Sequence, residues 1–269
     1  MFTGVTVAAA IGGAAIGSAV TAGAFLRRAT LWSPKPNPMW EPGGGSKKGP
    51  VDSMVTLVPS ELPQGKSYYA FLVSAVVPRP IAFVSTISED GKVNVAPFSF
   101  FGVMCHDPPT LVFCTIPRKG KPKDTLANCL STKECVVNMV SEDIVEAVNM
   151  CSGEYPADVD EFALSGLTPI PSSLPWKTPR VGEAKVQMEC TVKELKDLTA
   201  KSGEVGGTMV ICEIERIHVH SDVHKITENG SPYVDLGSYK PIGRLGGNDY
   251  GRTGGVFAMP RPSAVPRDN

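Results

Sequence analysis

Short apolar or β-branched runs follow one another along the chain, each bounded by turn residues: AFLVSAVV from Ala70, IAFVSTI from Ile81, VNVAPFSFF from Val93, TLVFCTI from Thr110 and ECVVNMV from Glu134. Runs of this length, with Asp90-Gly91 between the second and third, read as strands and a hairpin. Two longer strands with partial alternation follow, KVQMECTVKEL from Lys185 and TMVICEIERIHVH from Thr208. Helices fit between them at Asp124–Ser131, at Ser141–Met150 with Ser141 as N-cap and Glu142 and Asp143 in the first turn, and at Asp158–Leu164 with Gly166 past its end. Mostly antiparallel strands with a few inserted helices predict a mainly β fold, a β-barrel with inserted helices rather than a doubly wound sheet. The globular domain is expected over residues 53–262, with a short C-terminal tail at 263–269.

The chain ahead of that domain has a different pattern. Residues 1–26 carry no charged side chain, and the apolar stretch Val5 to Leu26 ends at Arg27 and Arg28. As a helix this stretch would be about 33 Å long, enough to cross a bilayer, although its Ala and Gly content makes it a marginal span. Gly13 and Gly17 have the spacing that lets membrane helices approach. No basic residue precedes the run, as a secretory signal requires, and it is poorer in Arg than a mitochondrial presequence. A membrane anchor, a targeting peptide and a disordered tail all stay open for residues 1–28, and the stretch is set aside from the fold. Residues 29–52, with SPKPNPMWEPGGGSKKGP, have the composition of a linker, and their Gly43-Gly44-Gly45 run lacks phosphate-loop spacing.

Composition narrows the partners. A 42% hydrophobic and 20% charged chain can bury a core, and its net charge of -1 offers no footprint for a phosphate backbone, so no nucleic-acid partner is expected. The seven cysteines form no C-x-x-C pair and suggest neither a disulfide framework nor a zinc cluster; most are expected to be small buried hydrophobes in a reducing, intracellular compartment. His218 and His220 are expected to share a strand face near His224 without an acidic or Cys ligand to complete a site, so no metal site is assigned, and His106 beside Asp107 reads as a turn residue. There is no H-E-x-x-H, G-x-S-x-G or Walker loop, and no nucleophile with an activating base, so no catalytic side chain is assigned.

An enzyme can lack catalytic side chains when a cofactor carries the chemistry. The hairpin PRPIAFVSTISEDGKVNVAPFSFF, Pro78 to Phe101, carries hydroxyls and an amide where packing residues would do. Ser85 and Thr86 end one strand, Asn94 and Ser99 lie on its partner, and Ala96, Pro97 and Phe98 leave room for backbone contact with a ring. These are the groups a flavin mononucleotide needs along its ribityl chain and ring edge. RKGKPKDTLANC then sets Lys119, Lys121 and Lys123 just before a helix beginning at Asp124 and Thr125, where cations, a hydroxyl and free N–H groups can converge on a phosphate.

The order VPRPIAFVST, DGKVNVAPFSFF, DPPTLVF, KDTLANC, ECVVNMV, VDEFALSGLT, PIGRLGGNDYGRT and FAMPRP resembles the flavin-reductase-like family of FMN-binding split barrels, which includes flavoredoxin-type proteins, over nearly all of residues 68–262. The resemblance implies a six-stranded split barrel of Greek-key topology, a homodimer, and FMN in a cleft near the subunit interface. It implies that Ser85, Thr86, Asn94, Ala96, Pro97 and Ser99 contact the ribityl chain and ring, and that Lys123, Asp124 and Thr125 belong to the phosphate segment. Arg79, between two prolines, is left between a flavin contact and a surface ion pair; Arg244 is assigned to the cofactor and, with Leu245 and Tyr250, to the substrate side. The expected reaction is hydride transfer from NADH or NADPH to flavin, with electrons passed on to a small-molecule or protein acceptor. An FMN-containing carrier reduced by a partner protein and a noncatalytic, membrane-tethered flavin-binding protein are the alternatives. Residues 5–26 leave membrane contact on the cytoplasmic face, or a mitochondrial address, as open localisations.

Overall fold

The computed structural model describes residues 31–46, 53–63, 66–118, 120–156 and 158–262, so the expectations for the apolar segment 5–26, for Lys119 and for the tail 263–269 lie outside the described residues. Among the described residues no helix is long and apolar enough to cross a membrane. The chain divides into two units, and the larger, Ser53–Thr253, holds the secondary structure. In chain order its elements are α1 (Tyr69–Ala75), β1 (Ala82–Ile87), β2 (Val93–Phe98), β3 (Phe101–His106), β4 (Pro109–Thr115), α2 (Asp124–Thr132), β5 (Glu134–Met139), α3 (Val145–Met150), α4 (Glu161–Ser165), β6 (Pro169–Ile170), β7 (Arg180–Val181), β8 (Val186–Thr199), β9 (Val205–Val219), β10 (His224–Ile226), β11 (Pro232–Val234), α5 (Leu236–Tyr239), β12 (Ile242–Arg244) and β13 (Tyr250–Arg252). In the smaller unit, residues 31–33 meet the stretch after Gly254: Trp32 bridges Val256, and Ser33 N–H donates to Val256 O at 2.7 Å.

Seven strands form one antiparallel sheet in the order β2-β1-β5-β8-β9-β4-β3. Its two edge strands, β2 and β3, are consecutive in the chain and joined only by Ser99 and Phe100. The sheet must therefore curl until its edges meet, and the Phe98 and Phe113 rings do meet, 5.2 Å apart, inside the curl. No ladder closes β2 against β3. This is the split of a split barrel, and the β4-to-β5 link that carries α2 crosses the barrel end in Greek-key fashion.

Burial explains why β1 reads as an unbroken apolar run. One face, Ala82 and Val84, joins Leu111, Phe113, Val137, Cys190 and Val210 inside the barrel; the other, with Phe83, packs under Val148 of α3, Phe162 of α4 and Val181 of β7. All six residues of β1 are buried. The hairpin turn to β2 needs Gly91 at φ 86°, a left-handed backbone that costs glycine nothing. Cys129, Cys135, Cys151, Cys190 and Cys212 are buried free thiols, as the composition suggested.

Two elements differ from the sequence reading. AFLVSAVV forms helix α1 and not a strand, with Val73 as its one buried residue. A short apolar run does not fix its own period, and every place beside β1 is already filled, by β2 and β5. Ser141 does not cap α3, because its backbone bridges Pro241 while Glu142 N–H donates to Lys240 O at 3.0 Å; the helix starts later, at Val145.

The segment between β6 and β7 is strapped to the barrel by a buried carboxylate. Glu189 of β8 is fully enclosed and accepts from the Ser173 amide at 2.7 Å and hydroxyl at 2.8 Å, with Arg180 Nε at 3.5 Å and His218 Nε2 at 3.3 Å. Burial pushes its pKa up, but the Ser173 and Ser172 hydrogen bonds and His218 outweigh burial and hold it below the ordinary 4.5. A depressed carboxyl contributes stability that is present above its unfolded pKa and lost as pH falls through the folded one. Glu189→Gln is expected to cost about 1 kcal/mol at pH 7 and to flatten the fall in stability below about pH 4.5, read by urea unfolding at several pH values.

Candidate functional site

Helix α2 covers one end of the barrel, with Cys129 and Leu126 packed into the inner core. Its first turn is tied to the β1–β2 hairpin through side-chain amides. Asn94 Nδ2 donates to the Thr125 hydroxyl at 2.9 Å and the Thr86 hydroxyl at 3.3 Å, and Asn128 Nδ2 donates to Thr86 at 3.1 Å. Thr86 and Asn94 are cross-strand partners, which is why the two strands present their polar groups together. The Thr125 hydroxyl accepts from Asn94 and keeps its own proton for another acceptor.

Beside this network lies a cleft of about 600 Å³. Asn94, Ala96 and Pro97 of β2 form one wall; Arg118, Lys121, Pro122 and Lys123 of the β4–α2 loop, with Asp124 and Thr125, form the second; Cys151 to Tyr155 and Glu161 form the third. A recess of about 190 Å³ shares Asn94, Asp124 and Glu161 with it. The amides of Asp124 and Thr125 precede the first intrahelical bond of α2, whose earliest donors are Leu126 and Ala127, both to Lys123 O. Those free N–H groups and three cationic side chains converge on the second wall, a donor set suited to an anion.

The charges in the cleft are not equivalent. Lys123 is half-buried with Nζ 5.1 Å from the Phe98 ring centroid, and burial, then Arg118, pulls its pKa below the ordinary lysine value against a partial rise from Glu154. Arg118 pairs with Glu154 across the mouth. Burial raises the Glu161 carboxyl, and Asp124 and Asp160 add to the rise; its Oε2 is enclosed with no hydrogen-bond partner among the described residues. The Cys151 thiol is raised by burial, so it stays neutral and is no nucleophile. The Tyr155 ring closes on Gly153, where a Cβ would sit 2.5 Å from the ring, so any side chain there would force Tyr155 to shift.

Of the residues expected from sequence, the cleft brings together Asn94, Ala96, Pro97, Lys123, Asp124 and Thr125, with Thr86 enclosed directly behind them. Ser85 lies apart from the cleft: strand alternation puts it on the other face of β1, fully buried, where its hydroxyl donates to Pro179 O at 2.6 Å. Arg79 is corrected, being neither a surface ion pair nor a cleft residue. Its guanidinium is buried and donates to Val73 O, to Val76 O at 2.7 Å, to Leu245 O at 2.8 Å and to Ser99 Oγ at 3.4 Å. Arg244 pairs with Arg79 through the backbone, stacks 4.4 Å from the Tyr250 ring centroid and donates to Gly247 O at 2.7 Å. Arg79, Ser99 and Arg244 thus form a second cluster at the far end of the hairpin, just beyond Pro97, and do not line the cleft. Arg118, Tyr155 and Glu161 do line it without having been assigned to it; Arg118 stands at the head of the basic run already singled out, whereas Tyr155 and Glu161 arrive through the α3–α4 connection and carry no sequence signal. Among the described residues no group of three or more His, Cys, Asp or Glu is arranged to hold a metal.

Comparison with known proteins gives a consistent result. The flavin reductase like domain matches residues 74–239. The structure of nitrilotriacetate monooxygenase component B from Bacillus cereus superposes with a TM-score of 0.71 at 30% identity, covering 78% of this chain and all (100%) of that one. A 2-nitrobenzoate 2-nitroreductase from Pseudomonas fluorescens superposes with a TM-score of 0.67 at 30% identity, over 80% and 100% of the two chains. A split-barrel-domain protein from Shewanella frigidimarina, at 24% identity and a TM-score of 0.62, covers 72% of this chain and 91% of its own and shares the fold.

Proposed function

The chain belongs to the flavin reductase like domain family, and from that premise we propose that it is an FMN-dependent oxidoreductase of the flavin reductase type, moving hydride from NADH or NADPH to flavin and electrons onward to an acceptor. The observation that carries this reading is the line of groups along β2: phosphate donors at Lys123, Asp124 and Thr125, an amide at Asn94, then Ala96 and Pro97 leading toward Ser99. Phosphate, polyol and ring can follow one another along that line. The two solved relatives at 30% identity are named for a monooxygenase component and a nitroreductase, which supports redox chemistry at the same place.

When bound, FMN supplies a ring that accepts hydride at N5. The chain's own residues bind and orient. Cations and first-turn amides hold the phosphate end, the Thr86–Asn94–Thr125 network keeps the hairpin and helix in register, and the Tyr155 ring and the neutral Cys151 exclude water from one side. No side-chain acid or base is required of them. The test is an anaerobic absorbance spectrum of the purified full chain before and after NADPH and then NADH. Bound flavin bleached by either nucleotide is the expected result and identifies the donor; flavin that stays oxidised would favour the electron carrier reduced by a partner protein, and a colourless protein that takes up no added FMN would overturn the reading.

A homodimer is proposed alongside it. The edge strand β3 exposes Val103 and Met104, and Tyr69 of α1, whose ring centroid lies 6.4 Å from that of Phe100, extends the apolar surface to Phe71 and Leu72. A second copy covers such a face at the least cost, because a symmetric contact buries both copies of the patch. Met104→Glu is expected to shift the chain from dimer to monomer by roughly tenfold or more in dissociation constant, read by analytical ultracentrifugation.

A further inference from the structure

Arg118 and Glu154 face each other from two loops, one between β4 and α2 and the other between α3 and α4, and both line the cleft. Each side chain is about half exposed, 49% and 50%, so the pair is screened and contributes little to folding by itself. Its position is more informative than its strength. Lys121 and Lys123 line the same wall as Arg118, and the amides of Asp124 and Thr125 open onto it. Glu154 reaches this cation-rich wall from outside it, on a loop fixed at one end by Tyr155, whose hydroxyl donates to Met150 O at 2.9 Å.

We propose that Glu154 is an internal stand-in for a ligand phosphate: it pairs with Arg118 until a phosphate-bearing ligand displaces it and takes Arg118 as an additional donor. A carboxylate and a phosphate both match the guanidinium fork, but a phosphate monoester carries about -1.5 to -2 charge against -1 and more acceptor oxygens, so the exchange favours the ligand. Arg118 thereby selects for a terminal phosphate and Glu154 tempers that preference, because a ligand without a phosphate has nothing to displace Glu154 and gains nothing from Arg118. The inference depends on the flavin reading only for the choice of FMN as the natural ligand.

The test compares FMN with riboflavin, which lacks the phosphate, in the full-length protein and in Glu154→Gln, Arg118→Gln and the double variant, by equilibrium fluorescence titration. Glu154→Gln is expected to tighten FMN about threefold, Arg118→Gln to weaken it about fivefold, and neither to move riboflavin. The gain from Glu154→Gln must disappear in the Arg118→Gln background, since it arises from freeing Arg118. Weaker or unchanged FMN binding by Glu154→Gln would overturn the proposal, and so would a gain that survives without Arg118, which would mean a general field effect on the lysines. Should the wild-type chain bind neither flavin, the flavin reading fails separately, and inorganic phosphate followed by phosphorus NMR becomes the probe: tighter phosphate binding by Glu154→Gln, dependent on Arg118, would still support the stand-in, and its absence would sink it.

Discussion

Replacing Lys123 with alanine is expected to weaken FMN binding by roughly 10- to 100-fold and to leave riboflavin within about twofold. The size follows from where the ammonium lies. Lys123 is half-buried against the Phe98 ring at the wall where the first-turn amides of α2 emerge, so a phosphate there meets a charge that water screens poorly. Burial already disfavours the charged lysine, and a phosphate partner would relieve that cost, so ligand and side chain stabilise each other. Titration of both flavins by fluorescence quenching checks it. Equal losses for FMN and riboflavin would point to a damaged barrel end, and no loss for either would remove Lys123 from the site.

Arg79→Ala is expected to lower stability by about 3 kcal/mol and the melting temperature by about 6–12 °C. Its guanidinium joins the backbone carbonyls of Val73 and Val76, just before it in the chain, to that of Leu245, which lies far from them in sequence. Truncation leaves those acceptors unpaired in a buried place and frees α1 from the β12–β13 hairpin. Burial and Arg244 pull the Arg79 pKa down, yet the group stays charged, so the loss is insensitive to pH between about 5 and 9. Scanning calorimetry at two pH values measures this. A variant that melts normally but no longer takes up FMN would return Arg79 to the ligand and refute its structural assignment.

The contrast between these two residues shows what the sequence could convey. Lys123 was legible because it precedes a helix with Asp124 and Thr125 in its first turn, a local arrangement whose chemistry follows from three adjacent letters. Arg79 was not, because its partners are carbonyls on α1 and on Leu245, and backbone acceptors leave no mark in a sequence. The place of Ser85 was hidden for a related reason. A hydroxyl beside Thr86 reads as a pair, but adjacent residues on a strand point to opposite faces, and only Thr86 faces the barrel mouth. The strands themselves were readable wherever one element was long or bounded by turns; AFLVSAVV was not, since an almost wholly apolar run satisfies either period and tertiary packing decided for a helix. One wall of the cleft, Cys151 to Tyr155, comes from a connection without periodicity, and its place beside β2 is set by how α3 and α4 pack on the hairpin.

The pairing of β4 with β9 sets a timetable for synthesis. On the edge of β4 away from β3, Thr115 finds its cross-strand partner at Thr208 and Leu111 at Cys212. A growing chain released as far as Gly203 already contains every wall of the cleft from Asn94 to Glu161, but β4 still presents a bare edge and the inner core still lacks Val210 and Cys212. Ligand-binding groups therefore leave the ribosome well before the strand that seals them, and the nascent protein is held open, with an apolar interior to shield, until its last long hairpin emerges.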